Sequence, residues 1–169
     1  MRIRQEEKAD HGAVDRLVRA AFACAQHADG NEAELVAALR GSAAFVPELS
    51  LVAERGGVLA GHILFTEAAV GADTVLALAP LSVAPEAQGQ GVGTALMEAG
   101  HGIALALGYS YVLVLGSETY YPRVGYRPAV QFGIPVPEGF PPVHFMAKKL
   151  RADAPDLRGP VVYAREFGL

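Results

Sequence analysis

The chain has 169 residues, 51% hydrophobic and 19% charged, and this composition predicts one folded domain spanning residues 1–169 rather than a disordered protein. Its formal net charge of −4 argues against a nucleic-acid partner, because such surfaces normally need clustered lysine and arginine. The apolar stretches are too short for a membrane span and the first residues lack a signal-peptide pattern, so we expect a cytoplasmic protein without a membrane partner.

Helical patterns dominate the first forty residues. After a short strand-like opening at 2–5, Asp10 can cap a helix whose apolar residues recur at helical spacing. A second helix is predicted from Asn31 to the Arg40-Gly41 pair, where a cation and a glycine suit a helix end. The single cysteine, Cys24, lies on the first of these patterns, which favours a buried thiol over a catalytic one.

Strand patterns follow and predict a mixed sheet. The runs 51–54 and 58–65 flank Arg55-Gly56-Gly57 as an antiparallel hairpin, and a third strand covers 74–83. A helix ending near Gly108 then leads to the apolar strand 111–115. A strand, a helix and a strand in this order form a crossover, so the flanking strands should be parallel. Further strands are predicted at 143–147 and 161–163.

The turn between the third strand and its helix predicts an anion site. Gly89, Gly91 and Gly93 remove side chains where a ligand would approach, and the first amides of a helix have no internal partner. No lysine or arginine occurs between Arg55 and Arg123, so we expect bound phosphate to rest on main-chain donors alone. A Walker loop is excluded by the missing Gly-Lys-Ser/Thr, and Thr94 disagrees with a dinucleotide fingerprint.

Pro80 interrupts the third strand just before this turn. Proline has no amide to donate, so a local break in strand pairing is expected there. If the third strand separates from the strand at 111–115, free main-chain groups of Leu81, Ser82 and Val83 would face a cleft. An extended ligand carrying amides, such as pantetheine, could pair with them like an added strand.

The segment Gln88-Gly89-Gln90-Gly91-Val92-Gly93 resembles the acyl-CoA-binding motif of the GNAT superfamily of N-acetyltransferases, Gln/Arg-x-x-Gly-x-Gly/Ala. Pro80–Val83 before it and Tyr120–Pro128 after it are similar to the YhbS-type branch of that family. The resemblance covers about residues 2–150 and implies a single-domain α/β fold: a mixed central sheet with helices on both faces and a splayed parallel strand pair forming the acyl-CoA cleft. Residues 151–169 lie outside this core, as an extension of uncertain role.

The resemblance further implies acetyl-CoA as cosubstrate, no metal, and transfer of acetyl to a primary amine by direct attack. The acceptor would be a small molecule or a peptide, and a homodimer is compatible with this family. The residues expected to bind the coenzyme are Leu81, Ser82, Val83, Gln88, Gly89, Gln90, Gly91, Val92, Gly93, Thr94 and Tyr120. A non-catalytic acyl-CoA-binding regulatory module is the alternative function.

Tyr121 is the predicted catalytic residue. It lies four residues before Gly125, the spacing of catalytic tyrosines in the family, and a phenol can protonate a departing thiolate. The alternative is an aromatic residue that only packs against coenzyme or core. The general base stays open among His62, Glu67, Glu118 and a bound water. His11, His27, His101 and His144 show no metal-ligand spacing, so no metal site is predicted.

Overall fold

A computed structural model describes residues 1–23, 25 and 28–169, so the prediction of a buried Cys24 thiol lies outside the described residues. The helices are α1 (His11–Phe22), α2 (Glu32–Arg40) and α3 (Val92–Ala106). The strands are β1 (Arg2–Gln5), β2 (Phe45–Arg55), β3 (Val58–Val70), β4 (Asp73–Val83), β5 (Tyr111–Leu115), β6 (Arg127–Pro128), β7 (Phe145–Lys149) and β8 (Val161–Val162).

The strands form one mixed sheet, as the sequence predicts. Its order is β1-β2-β3-β4-β5-β7-β6, and β8 pairs with β3 beside the main path. Within the described ranges, β4 and β5 are parallel and the remaining pairs are antiparallel. The parallel pair follows from the crossover through α3, because the chain must return to the starting end of the sheet before β5 begins.

Helices cover both faces of the sheet, which confirms the predicted architecture. On one face α3 packs closely, because Gly61 of β3 and Gly100 of α3 leave no room for side chains: a Cβ at Gly61 would lie 2.8 Å from Leu96 and from Val92. On the other face, α1 and α2 bury a separate apolar cluster against Val52 and Leu64. We call these the α3 face and the α2 face.

The strands β4 and β5 pair at only two positions before they separate. Leu76 pairs with Val112 and Ala77 with Leu113, whereas β4 continues to Val83 on its pairing with β3. The predicted break at Pro80 is confirmed as a bulge: Phe65 pairs with Leu78 and Ile63 with Leu81, so β4 has one extra residue there. The separation opens a cleft between the two parallel strands, as expected.

Several element boundaries differ from the predictions. The strands β2 and β3 are longer than their predicted runs of 51–54 and 58–65, because β2 starts at Phe45 and β3 ends at Val70. The predicted strand at 143–147 is wrong at its start, since a short 3₁₀ turn occupies Pro142–His144 and the strand begins at Phe145. Proline at position 142 suits the first turn of such a helix better than a ladder, because it lacks an amide to donate.

Candidate active site

The turn from β4 to α3 presents a group of open main-chain amides. Gly89 and Gly91 adopt left-handed backbone angles, with φ of 73° and 83°, which glycine accepts at little steric cost. The first helical bond of this turn runs from the amide of Ala95 to the carbonyl of Gly91. Among the described residues, nothing accepts a hydrogen bond from the amides of residues 89–94. Gly89, Gln90 and Gly91 are exposed, so their donors can reach a ligand directly, whereas Val92 and Gly93 are buried and Thr94 is half-buried.

Side chains on the turn hold its shape. The Gln88 amide donates to the carbonyl of Val83 over 3.2 Å, and the Gln90 amide donates to the carbonyl of Glu86 over 3.0 Å. Both glutamines therefore close the turn on itself, while its own main-chain donors stay open. Two of the predicted binding residues, Gln88 and Gln90, support the loop through these bonds.

Arg55 corrects the expectation that no side-chain cation reaches the turn. Its Nη1 donates to Oε1 of Gln90 over 2.6 Å. The reason is the sheet topology: β3 is antiparallel to β4, so the turn before β3 lies beside the end of β4, where the amide of Ala84 donates to the carbonyl of Ala60. Arg55 was not predicted here because cations were counted only along the chain. The predicted hairpin at Arg55-Gly56-Gly57 was the one signal from which this approach could have been inferred.

The two tyrosines after β5 occupy different places. The Tyr120 hydroxyl lies against Gly93, where a Cβ would collide with it, and Leu81 borders the same space. Tyr120, Gly93 and Leu81 therefore lie close together on the α3 face. The Tyr121 ring packs on Gly116 at the end of β5 and stacks edge-on against Tyr126, with ring centroids 5.6 Å apart. Any larger residue at position 116 would collide with the Tyr121 ring, and any larger residue at position 93 would collide with the Tyr120 hydroxyl.

Burial raises the pKa of the Tyr121 phenol well above its ordinary value, with a smaller contribution from Tyr120. The phenol is therefore neutral and carries its proton throughout the physiological pH range. Among the described side chains, no hydrogen-bond partner meets this hydroxyl. Within the described part of the chain, it is therefore a proton donor without a partner.

Some predicted coenzyme-binding residues place their side chains in the core. Ser82 is almost fully buried and pairs with His62, on the α2 face of the sheet, and Val92 packs beside Gly61. Thr94 is half-buried in the first turn of α3. For Val92, only the main chain remains available to a ligand. The Ser82 amide and carbonyl face β3, because Ser82 and His62 form a hydrogen-bonded pair in register with the bond from the Ala84 amide to the Ala60 carbonyl. The edge of β4 that faces β5 therefore offers the main chain of Leu81 and Val83, apart from the Val83 carbonyl.

The candidate base His62 lies deep in the protein. Its ring is fully buried, 3.2 Å from the Ser50 hydroxyl and 3.7 Å from the Glu6 carboxylate. Burial lowers its pKa to about 4, although the nearby Glu6 opposes this shift. A neutral imidazole enclosed in this way has the surroundings of a structural histidine.

The other two candidate bases already have partners within the fold. Glu67 accepts a hydrogen bond from the Tyr109 hydroxyl and pairs with Leu76, where β4 and β5 are still joined. Glu118 lies beyond the end of β5, 3.0 Å from Nδ1 of His144, with both side chains partly exposed. None of the three predicted bases lines the cavity that lies between α2 and the ends of β4 and β5.

A cavity of about 470 Å³ opens on the α2 face where β4 and β5 separate. Its floor is Leu78 and Ala79 of β4 with residues 113–115 of β5, and α2 contributes Leu35 and Ala38. The remaining described lining residues are Asp29, Asn31, Glu34, Phe140, Tyr163, Glu166, Phe167 and Leu169. Sequence patterns gave no sign of this cavity, because its walls come from segments more than a hundred residues apart.

The separated parallel strands, with the glycine turn at the start of α3, agree with the comparison to known proteins. The model of the acetyltransferase (GNAT) family matches residues 12–126, well over half of the chain. The chain belongs to the GNAT family. Its curated relatives include an uncharacterized N-acetyltransferase, YjhQ of Escherichia coli strain K12, which is 41% identical over 136 residues, covering 76% of this chain and 75% of YjhQ.

Solved GNAT structures share the whole fold. The GNAT protein YhbS from Escherichia coli, solved in complex with CoA, is 28% identical with a TM-score of 0.88, covering 99% of this chain and 92% of YhbS. A GNAT acetyltransferase from Brucella melitensis, in complex with acetyl-CoA, is 30% identical with a TM-score of 0.81, covering 98% and 97%. The family assignment and fold class predicted from the turn at 88–93 are therefore confirmed.

The described part of this GNAT fold has neither a candidate membrane helix nor a candidate metal cluster. Residues 1–23, 25 and 28–169 contain no helix long and apolar enough to cross a membrane. The same residues contain no group of three or more histidine, cysteine or acidic side chains arranged to hold a metal ion.

Proposed function

We propose that this protein transfers the acetyl group of acetyl-CoA to a primary amine by direct attack. The observation that carries the proposal is the set of open amides at residues 89–94, placed beside two parallel strands that separate. Support comes from the Brucella melitensis relative, solved with acetyl-CoA, and from YhbS, solved with CoA, which share this fold over almost the entire chain.

The coenzyme would lie along the α3 face, starting at the glycine turn. Its pyrophosphate accepts hydrogen bonds from the amides of residues 89–94, where the positive end of the α3 dipole adds attraction. Arg55 adds an exposed cation beside the same turn. The pantetheine arm would then follow the free edge of β4 at Leu81 and Val83 and pass Tyr120 and Gly93, a path that we call the coenzyme groove.

The thioester would reach the gap between β4 and β5, near Tyr121 at the end of β5. The lone pair of a neutral amine forms a C–N bond with the acetyl carbon, and the C–S bond breaks with its electron pair on sulfur. The Tyr121 phenol donates its proton to the departing thiolate, and a water passes the excess proton of the amine back to the phenolate, which restores Tyr121. Burial keeps the phenol protonated but also makes it a weaker acid, so this return of the proton has to accompany the transfer.

Free-thiol release provides the test against the alternative of a non-catalytic coenzyme-binding module. Protein, acetyl-CoA and a panel of primary amines are mixed, and thiol is measured with and without each amine. Calorimetry on the same protein measures CoA affinity. Amine-dependent thiol release supports transfer, whereas CoA binding without such release for any amine supports the module. Failure of the folded protein to bind CoA would contradict both functions.

A further inference from the structure

The last nine residues are a fixed part of the fold. β8 pairs with the end of β3, Val161 with Val70 and Val162 with Ala69. Beyond β8, the Tyr163 ring lies between Phe140 and Phe167, at centroid distances of 5.9 and 5.4 Å. The segment is therefore held by strand pairing and by aromatic packing, and it closes one side of the cavity on the α2 face.

We propose that Tyr163–Leu169 is the acceptor-selecting wall of the enzyme, and that it admits a small primary amine with an apolar, aromatic body whose ammonium group binds Glu166. This inference rests on the proposed function, because it assigns the cavity to the acceptor. The cavity and the coenzyme groove lie on opposite faces, and they meet where β4 separates from β5. An ammonium group bound by Glu166 would lose its proton to water, and the neutral amine would then approach the thioester through the gap between the strands.

The size and lining of the cavity favour a small apolar body. Its volume of about 470 Å³ falls in the range of about 300–1,000 Å³ typical of small-molecule sites. The floor is aliphatic, and the rings of Phe140, Tyr163 and Phe167 stand on one side. Aromatic side chains pack edge to face against an aromatic ligand, and their faces also attract cations. A polypeptide substrate would need an open groove, which the Tyr163–Leu169 wall closes on this side.

The charges around the cavity favour an ammonium group. Its described lining includes Asp29, Glu34 and Glu166, and no lysine or arginine is found among these lining residues. Glu34 is already bonded to Arg19 over 2.7 Å. Glu166 has an Arg165 contact of 3.4 Å, but that arginine side chain is 96% exposed, so water screens the pair strongly. The Glu166 side chain lines the cavity and is only 18% exposed, so a cation in the cavity would meet its carboxylate away from most of the solvent.

Three probe amines test the proposal: 2-phenylethylamine, ethanolamine and a hexapeptide with a free N-terminus. For wild-type protein, we expect kcat/KM for phenylethylamine to exceed that for the other two by about tenfold or more, as burying several apolar groups predicts. Glu166→Gln should raise the KM for phenylethylamine about tenfold, because a charge-assisted hydrogen bond is lost. Its KM for acetyl-CoA should stay within about twofold.

The matched control is Glu98→Gln, which removes the same charge from an exposed position of α3, away from the cavity. This variant should leave KM and kcat/KM unchanged for all three amines. Phe167→Ala opens the wall and should lower the ratio of kcat/KM for phenylethylamine to kcat/KM for the hexapeptide, even if both values fall. Equal use of the three amines by wild-type protein would overturn the inference, and so would an unchanged phenylethylamine KM in folded Glu166→Gln.

Direct binding separates the inference from the proposed function. Calorimetry of phenylethylamine against CoA-saturated protein requires no turnover. Binding that weakens in Glu166→Gln, without thiol release, would support the acceptor site and contradict the transferase. Acetylation of ethanolamine or the hexapeptide, with neither binding nor acetylation of phenylethylamine, would overturn the acceptor wall and keep the transferase. Absence of both binding and turnover for every probe would contradict both.

Discussion

The two faces of the sheet are built in different ways around one gap between strands. On the α3 face, the proposed phosphate site is a run of consecutive main-chain amides at 89–94, opened by glycines and joined by one arginine from the next turn. On the α2 face, the cavity is built from side chains of α2, β4, β5 and the C-terminal segment. A chemical group common to all substrates can be bound by local backbone, whereas a particular acceptor needs side chains from distant segments.

The largest effect should come from Gly91→Val, which changes the main-chain amides of the proposed phosphate site. A β-branched residue is strained at the left-handed angles of Gly91, so the amides beside it should change direction. Loss of two hydrogen bonds to a charged phosphate, at about 1.5–3 kcal/mol each, corresponds to roughly a hundredfold or more in CoA affinity. Calorimetry on folded protein measures it.

Gly102→Ala is the matched control on the same helix. A Cβ at Gly102 meets nothing within 4 Å, so the helix should accept it without change. We expect unaltered CoA affinity in this variant. Full affinity in a folded Gly91→Val protein would show that the turn at 88–93 does not carry the phosphates.

Tyr121→Phe tests the point where the two faces meet. Removal of a general acid lowers kcat by roughly tenfold to a thousandfold, while CoA affinity should stay within about twofold. In wild-type protein, the raised pKa of Tyr121 keeps the phenol protonated, so the rate should rise with pH as the amine loses its proton, with no loss from the phenol up to about pH 10.

Tyr120→Phe provides the comparison for that variant. Its hydroxyl lies against Gly93 in the coenzyme groove, so its removal should alter KM for acetyl-CoA more than kcat. An unchanged rate in Tyr121→Phe would assign the phenol a packing role. A large loss of kcat in Tyr120→Phe alone would transfer the acid role to that tyrosine.

The same contrast explains how much the sequence could predict. The glycine turn, the parallel pair and the bulge at Pro80 were predicted, because each depends on local residue chemistry or on a rule of connection. Arg55 was missed at this site, since its approach depends on which strand ends lie together. The cavity was missed too, because Glu166 and Glu34 come together only after the C-terminal segment packs back on the fold.

Arg55→Gln should have a moderate effect on the coenzyme side. One charge-assisted hydrogen bond is worth about 1.5 kcal/mol or more, so CoA affinity should fall about tenfold at low salt, and by less at high salt because ions screen an exposed arginine. Dephospho-CoA identifies the contact: equal losses for both ligands place Arg55 at the pyrophosphate, and a loss for CoA alone places it at the 3′-phosphate.

The control for Arg55 removes an equal charge from the far end of the sheet. Arg158 is exposed, and its main chain lies beside Gly71 at the opposite turn of β3. Arg158→Gln should therefore change CoA affinity only slightly at any salt concentration. If the two variants weaken binding equally, the effect of Arg55 is one of net charge and the contact with the phosphates is disproved.

The smallest effect on turnover is expected from His62→Gln, although His62 was a candidate base. Burial lowers its pKa from 6.5 to about 4, so the folded protein favours the neutral ring while the unfolded chain takes up a proton first. The stability contributed by this shift is complete above pH 6.5 and is lost as the pH falls toward 4, by up to about 3 kcal/mol.

His101 on the α3 face shares this shift, as burial also lowers its pKa to about 4, so it remains as an internal reference. In His62→Gln, kcat at pH 8 should stay within about twofold, since the buried ring of His62 lines neither of the two proposed substrate sites. The free energy of unfolding should fall less steeply between pH 6.5 and 4, with roughly half of the histidine-dependent loss remaining. A tenfold fall in kcat of the folded variant would instead restore His62 as the base and connect the α2 face directly to the chemistry.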